Sequence, residues 1–441
     1  MRTRRAQRGR RGALGRSRSS FRSQAEFFGT DDGKLVQYHT RKDKRVLIGL
    51  HDLEPQSTKM PDDEKDAFQR QVIDDLAVRK RSAFRGPLAL SVRATTTSKT
   101  APHAQTIAKN VLDLLGKRRP GVAGPPNALL YRDDSQVNAL VVSCDHGGST
   151  PGISIGAMPF SAVLKDLELA AHAMQALSND LEHRRRHDTD GDVVGEFREL
   201  LKQEAHYRKR VGDRLYEYLV KMSRPHMQEV LLHRSTLDVA QLCWLHGLPR
   251  NPFSAPLNDM WDGVLRNHPL RINFGELPIT PGSSAGFIAH VDQQVKAFAK
   301  RWERFIKPLA VPVGVQVVVR PAPATPKGVL HDLDNIVRDY VLPKVIPTFD
   351  TVTAHRWTVD LNELRRIDPK LARRWEAERG PPKGTRAGVT HYEVWRLPPA
   401  ASGSTGFVSV SLVAGRNYGA DTFRDIDELI ERWGTQRGDA D

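Results

Sequence analysis

One order of apolar segments occurs twice in this chain, and this repetition restricts the possible folds more than any other feature of the sequence. Two strand-like segments flank a helical pattern at 45–55, 62–80 and 87–99, and again at 270–278, 287–306 and 313–327. Ile48 and Ile272 are 272 − 48 = 224 residues apart, and Lys99 and Lys327 are 327 − 99 = 228 apart. A nearly constant offset predicts a duplicated unit. Chance similarity between two α+β segments is the alternative.

This duplication divides the 441 residues into five regions. We predict an Arg-rich arm at 1–26, a first unit at 27–160, a helical insert at 161–250, a second unit at 251–415 and a C-terminal helix or tail at 416–441. Short β-branched runs at 137–143, 390–398 and 406–415 predict further strands. Apolar residues three or four apart over 161–225 predict two long amphipathic helices joined around 188–192. The expected fold class is α+β, with two mixed α/β units that each pack helices on a small sheet.

The positive charge of the chain is concentrated at its N-terminus. The sequence has 67 Lys and Arg against 52 Asp and Glu, a net charge of +15, and nine arginines precede the first acid, so the remainder carries 15 − 9 = +6. Such a segment cannot bury apolar surface, so we expect it to be disordered and to contact nucleic-acid phosphates. A solubilising tail is the alternative. The DNA contacts are assigned to Arg4, Arg5, Arg8, Arg10 and Arg11.

Neither a membrane span nor a secretory signal is predicted. No run reaches the roughly 18 consecutive apolar residues that a span needs, and no short apolar segment follows the basic N-terminal region. Cys144 and Cys243 are the two cysteines, and neither belongs to a CxxC or a Cys–His cluster. We therefore expect a cytoplasmic protein without a disulfide framework or a structural zinc site.

The densest group of acids follows the strand-like segment at 313–320. Asp332 and Asp334 are two positions apart at the start of a predicted helix, and Arg338 comes one turn later. Two carboxylates with this spacing can bind one hard cation, and the arginine can reach a phosphate. The alternative is a structural role, because an aspartate at a helix N-terminus also satisfies free backbone N–H groups.

The sequence around these acids is similar to a known motif. Asp332-Leu333-Asp334-Asn335, followed by two apolar residues and Arg338, resembles the DxDNxxK signature of the RusA family of Holliday junction resolvases. In the first unit, the segment 131–137 (YRDDSQV) resembles the DD-S-Q-V segment of that family, and the helix 106–115 resembles its N-x-x-K-x-x-x-D-x-L helix. The resemblance covers a part of each unit.

This resemblance implies a Mg²⁺-dependent, structure-selective DNA endonuclease of recombination and repair, acting on branched or duplex DNA. It implies Asp332 and Asp334 as Mg²⁺ ligands, Arg338 as the basic residue that assists cleavage and Lys109 as its counterpart in the first unit. Asp133 or Asp134 would supply the remaining acid. Because members of the family act as twofold dimers, it also implies an intramolecular pseudo-dimer or a homodimer.

Each unit departs from the family pattern in a different half of the motif. Lys109 and Arg338 are 338 − 109 = 229 residues apart, and the same offset puts His103 and Gln105 at the positions of Asp332 and Asp334. Conversely, Arg386-Ala387-Gly388 or Val389-Thr390 stand where the first unit has Asp133 and Asp134. The sequence therefore predicts that each unit lacks half of a site.

Two carboxylates alone are a poor site for Mg²⁺, so a third acid is required. Asp350 in the second unit is the nearest candidate and Asp360 the next, while a composite site between the two units is the alternative. Two other functions remain open. One is that of a DNA-binding protein that has lost catalysis. The other is that of an interaction protein whose helices at 161–225 bind a partner.

Overall fold

A computed structural model describes most of the chain. It describes residues 23–56, 60–97, 103–123, 127–146, 149–178, 192–248, 265, 267–278, 284–311, 313–323, 325, 331–349, 361–379, 389–414 and 421–438. The arm arginines, Asp350, Asp360 and residues 385–388 lie outside the described residues.

Eight strands form one mixed sheet. The strands are β1 (Val46–His51), β2 (Leu88–Thr96), β3 (Val137–His146), β4 (Gly152–Pro159), β5 (Arg271–Asn273), β6 (Val313–Arg320), β7 (Val389–Arg396) and β8 (Phe407–Ala414). Their order across the sheet is β1-β4-β2-β3-β7-β6-β8-β5. The protein is therefore mixed α/β, and the strands of both predicted units hydrogen-bond in a single sheet.

The two halves of the sheet have the same topology. In each half the third strand lies parallel to the second, and the fourth lies antiparallel to the first and second. The parallel pairs have the same irregularity, between Leu88 and Ala89 in one half and between Val313 and Gly314 in the other. The halves meet where β3 and β7 pair antiparallel, with Val141 opposite Glu393. An approximate twofold axis perpendicular to the sheet therefore passes through this central pair.

Helices cover both faces of the sheet. Side chains along a strand point alternately to the two faces, so a buried strand contributes apolar residues to both cores. Leu140 and Val142 of β3 belong to the larger apolar core, and Ala139 and Val141 belong to the core on the other face. The helices are α1 (Gln24–Gly29), α2 (Asp31–Asp43), α3 (Asp62–Val78), α4 (Ala104–Leu115), α5 (Phe160–Ser178), α6 (Val193–Lys202), α7 (Glu204–Val211), α8 (Asp213–Arg234), α9 (Val239–Leu245), α10 (Ser284–Ile306), α11 (Leu333–Asn335), α12 (Leu342–Phe349), α13 (Leu361–Ile367), α14 (Pro369–Arg379) and α15 (Thr422–Gly438).

The predicted helices of the repeat are confirmed. The patterns at 62–80, 104–116 and 287–306 correspond to α3, α4 and α10. Residues 336–341 form a π-helical turn between α11 and α12, so one continuous helical path runs from 333 to 349. This path follows β6 as α4 follows β2, which places both helices near the central strand pair.

The prediction of two long helices over 161–225 is wrong for the second of them. Three helices, α6, α7 and α8, occupy 193–234, and the backbone of Gly212 between the last two has φ +83°, a left-handed conformation that favours glycine. Phe197 and Met227 of this region pack into the larger core, and Leu177 and Leu242 pack into the other. The apolar faces of these helices therefore contribute to the fold.

None of the helices in the described part of the chain combines the length and apolar character that crossing a membrane requires.

Candidate metal centre

The sheet topology brings two distant chain segments together at one end of the central strand pair. Because β3 and β7 are antiparallel, the start of β3 lies beside the end of β7, with Ala139 opposite Trp395. Strand β6 runs parallel to β7, so it ends at the same edge. Asp133 and Asp134, which precede β3, therefore meet Asp332, which follows β6.

Three of the predicted acids form a compact group. Asp133, Asp134 and Asp332 each offer a carboxylate oxygen, and these oxygens lie within 4.8 Å of one another. Asp133 is exposed, and the other two are half-buried. The first unit supplies two of these acids and the second unit supplies one, so the group is the composite arrangement that the sequence left open.

A hydrogen-bonded turn presents the two acids of the first unit. Asp133 caps the 3₁₀ turn Asp134–Gln136 by accepting a hydrogen bond at Oδ1 from the Ser135 N–H, 2.9 Å away. Gln136 Oε1 accepts from the Asp133 N–H at 3.2 Å, and Gln136 Nε2 donates to the carbonyl of Phe84 at 3.1 Å. The hydrogen bonds from Ser135 lower the pKa of Asp133. The D-D-S-Q pattern therefore specifies a rigid capping box that holds two carboxylates at the start of β3.

Asp332 occupies the N-cap position of α11, but its side chain makes no capping hydrogen bond. Instead, its Oδ2 accepts a hydrogen bond from Asn335 Nδ2 at 3.1 Å. The capping hydrogen bond that the structural alternative expects of Asp332 is therefore not formed, although Asp332 occupies the N-cap position. Burial raises the pKa of Asp332 to about 6, with repulsion from Asp134 and other nearby carboxylates adding to the effect and Arg396 opposing it.

Asp334 lies deeper in the same region. It is 4% exposed, and its Oδ2 has no hydrogen-bond partner in the described part of the protein. Asp334 does not belong to the group of three, although its charge acts on Asp332. Burial raises the pKa of Asp334, and the charges of Lys109 and Arg338 oppose that rise. A buried acceptor without a donor is costly, and a cation beside it would satisfy it.

The two predicted basic residues flank Asp334 from different halves of the sheet. Lys109 Nζ lies 2.6 Å from Asp113 Oδ1, one turn further along α4. The Arg338 guanidinium makes two hydrogen bonds to the carboxylate of Asp339, at 2.7 and 2.9 Å. Arg338 is part of the π-helical turn, a feature found frequently at functional sites. The charges of Lys109 and Arg338 both act on Asp334, so positive charge adjoins the acidic region.

Arg396, at the end of β7, connects the two acidic segments, and no motif in the sequence indicates this role. Its Nη1 donates to the carbonyl of Ser135 at 3.1 Å, and its Nη2 donates to the carbonyl of His331 at 2.7 Å. One acceptor directly follows Asp134 and the other directly precedes Asp332. The guanidinium is buried, at 6% residue exposure, and the desolvation lowers its pKa. Arg396 therefore fixes the spacing between the two halves of the acidic group.

The donor set fits a hard divalent cation. All the converging atoms are carboxylate oxygens, which Mg²⁺, Ca²⁺ and Mn²⁺ prefer over softer metals. The Asp334 Oδ2 atom, which has no hydrogen-bond partner among the described residues, is compatible with a cation nearby. Asp133, Asp134 and Asp332 would hold the ion, with Asp334 beside it.

Comparisons of this chain with family models, with curated proteins and with solved structures give no match.

Proposed function

We propose that this chain is a Mg²⁺-dependent endonuclease that hydrolyses a phosphodiester bond of DNA and resembles the RusA family of Holliday junction resolvases. In this proposal the two halves of the sheet are duplicated units that replace the two subunits of a dimer. We expect it to act in the cytoplasm on branched DNA during recombination and repair.

One observation carries the proposal. Each unit keeps a different half of the acidic motif, and the fold brings these two halves to the same end of the central strand pair. Random loss of acids from a duplicated chain gives no reason for the remaining ones to face each other. Their convergence on one position supports a site that binds a cation, and the adjacent basic residues support an anionic substrate.

The proposed roles follow from the chemistry of the side chains. When bound, Mg²⁺ would neutralise phosphate charge and lower the pKa of a bound water. Asp133, Asp134 and Asp332 would bind the ion. Lys109 and Arg338 would exchange their intrahelical carboxylate partners for oxygens of the phosphate and orient it. The arm arginines at 4–11 would hold DNA through contacts whose strength falls with salt concentration.

The test is cleavage of labelled four-way, flap and linear duplex DNA with Mg²⁺ or with EDTA. We expect Mg²⁺-dependent cutting of the branched substrates, and its loss in Asp332→Asn. DNA affinity should stay the same or rise in this variant, because less negative charge then faces the phosphates. Asp74→Asn, an exposed acid on α3, is the matched control and should cut as the natural sequence does.

Binding of DNA without cutting, with any divalent metal, would contradict the proposal and favour a DNA-binding protein that has lost catalysis. Cutting that survives in Asp332→Asn would contradict the assigned site. A partner protein lost on deletion of 161–225, with DNA binding intact, would instead support the interaction role of those helices.

A further inference from the structure

The approximate twofold axis creates a second position, at the other end of the central strand pair. Helix α4 begins after His103 as α11 begins after Asp332, and the offset is 332 − 103 = 229 residues. The two N-cap backbones have nearly the same conformation, with φ −67° and ψ 150° at His103 and φ −66° and ψ 138° at Asp332. The backbone of a second site is therefore present in the first unit.

The acids of this second position are replaced in both contributing segments. The helix contributes His103 and Gln105, at the positions of Asp332 and Asp334. Val137 pairs with Leu88 as Val389 pairs with Val313, an offset of 389 − 137 = 252. The counterparts of Asp133 and Asp134 would precede Val389 in the sequence, which has no acid from 381 to 388; these residues lie outside the described residues.

The arginine that connects the two acidic segments is replaced as well. The same offset of 252 residues makes Cys144 of β3 the counterpart of Arg396, because 396 − 252 = 144. A thiol cannot donate two hydrogen bonds to two separate carbonyls, as the guanidinium of Arg396 does. None of the three described counterparts, His103, Gln105 and Cys144, supplies a carboxylate.

The acidic group cannot serve both ends of the strand pair at once. Val137 and Cys144 are 144 − 137 = 7 residues apart on β3, a distance of roughly 23 Å at about 3.3 Å per residue. A phosphate at the second position is therefore far from the carboxylates at the first.

We propose that this protein cuts one DNA strand each time it binds, and that it nicks a branched DNA instead of making paired incisions. This inference rests on the proposed endonuclease function. In each event one water oxygen bonds to phosphorus, the bond from phosphorus to one sugar oxygen breaks, and that oxygen takes up a proton. One hydroxyl end and one phosphate end result, and the opposite strand stays intact.

The test uses a negatively supercoiled plasmid that extrudes a four-way junction at an inverted repeat. A single nick releases the supercoiling, so the junction is reabsorbed and a second cut requires an incision within the same binding event. With less protein than plasmid and with Mg²⁺ present, we expect open circles as the only first product. Linear plasmid as the first product would overturn the inference while supporting the endonuclease function.

Two variants distinguish one working position from two. In Asp332→Asn we expect every nick to disappear, whereas a protein with two working positions would keep about half of its incisions. His103→Asn, the change at the equivalent residue of the other position, should leave the nicking rate within about twofold. A loss of nicking in His103→Asn protein whose circular dichroism is unchanged would also overturn the inference. If folded natural protein leaves every plasmid supercoiled, the proposed endonuclease function itself fails, and the inference fails with it.

Discussion

The two ends of the β3–β7 strand pair have equivalent backbones and opposite chemistry. At one end Asp133, Asp134 and Asp332 lie close together and Arg396 bonds to both acidic segments, and at the other the described equivalent residues are His103, Gln105 and Cys144. Strand pairing depends on backbone hydrogen bonds and on apolar side chains, which are similar in both halves. The fold therefore persists at both ends, while a few polar side chains decide which end can bind a cation.

Among the substitutions that would remove this difference between the two ends, that of Arg396 is expected to have the largest effect. Arg396→Gln should weaken Mg²⁺ binding roughly 10- to 100-fold, because the guanidinium no longer holds the carbonyls of Ser135 and His331 together. Isothermal titration with Mg²⁺ measures this loss. Arg271→Gln, another buried arginine, is the control for general destabilisation, since Arg271 bonds to Gln316 and Ser409 away from the acids. Equal losses of Mg²⁺ affinity in the two variants would contradict the role of Arg396 in holding the two acidic segments together.

A second prediction concerns the pH dependence of cation binding at the acidic end. The pKa of Asp332 is about 6, and a carboxylate must lose its proton to bind a metal. Mg²⁺ affinity should therefore be constant above pH 7 and should fall about tenfold per pH unit below 6. Titrations between pH 5 and 8 measure it. Carboxylates with ordinary pKa values would give a flat profile over this range, and that result would contradict the crowding of the acids.

The smallest expected effect is that of Asp332→Asn on the free energy of unfolding, measured without divalent metal. The pKa of Asp332 is higher in the folded protein than in the unfolded chain, so its ionisation destabilises the fold as the pH rises from about 4 to about 6, and the loss stays complete above that. Asp332→Asn removes this loss and keeps an oxygen that can accept from Asn335. In EDTA at pH 8 we expect a gain of roughly 1 kcal/mol in unfolding free energy, discounted for the partial exposure of the side chain.

Urea unfolding at pH 8 and near pH 4 measures this gain, most of which should disappear at the lower pH, because the Asp332 carboxyl is then protonated in the folded protein and partly protonated in the unfolded chain. Asp74→Asn should show no difference at either pH. A gain in Asp332→Asn that is the same at both pH values would mean that relief of charge repulsion is not its cause.

Much of the fold could be predicted from local patterns. The strand at 313–320 and the helices α3, α4 and α10 match the predicted segments within a few residues, because apolar periodicity reports directly on burial. Strand β4 was missed although its burial alternates along most of its length, since GISIGAMP contains two glycines and a proline. The breaks between α6, α7 and α8 were missed as well, because an apolar stripe can continue across a turn.

The candidate site was predictable in its parts and not in its assembly. The motif identified all four acids and both basic residues, since their spacing is local. The meeting of acids from the two units depends on the pairing of β3 with β7, which no local pattern encodes, while Asp350 lies outside the described residues. Arg396 was missed for the same reason, because its two acceptors, the carbonyls of Ser135 and His331, lie 261 and 65 residues away in the chain.

The sequence by itself determined the repeated order of elements, the excess of positive charge and the division of the acidic motif between two units. The tertiary structure alone decided that the divided halves meet at one end of a shared sheet, and the described residues contain no second group of three converging acids. The physical reason is that residue types and spacing act locally, whereas a cation site depends on distances of a few ångströms between carboxylates, and those distances are set by strand register across the whole sheet.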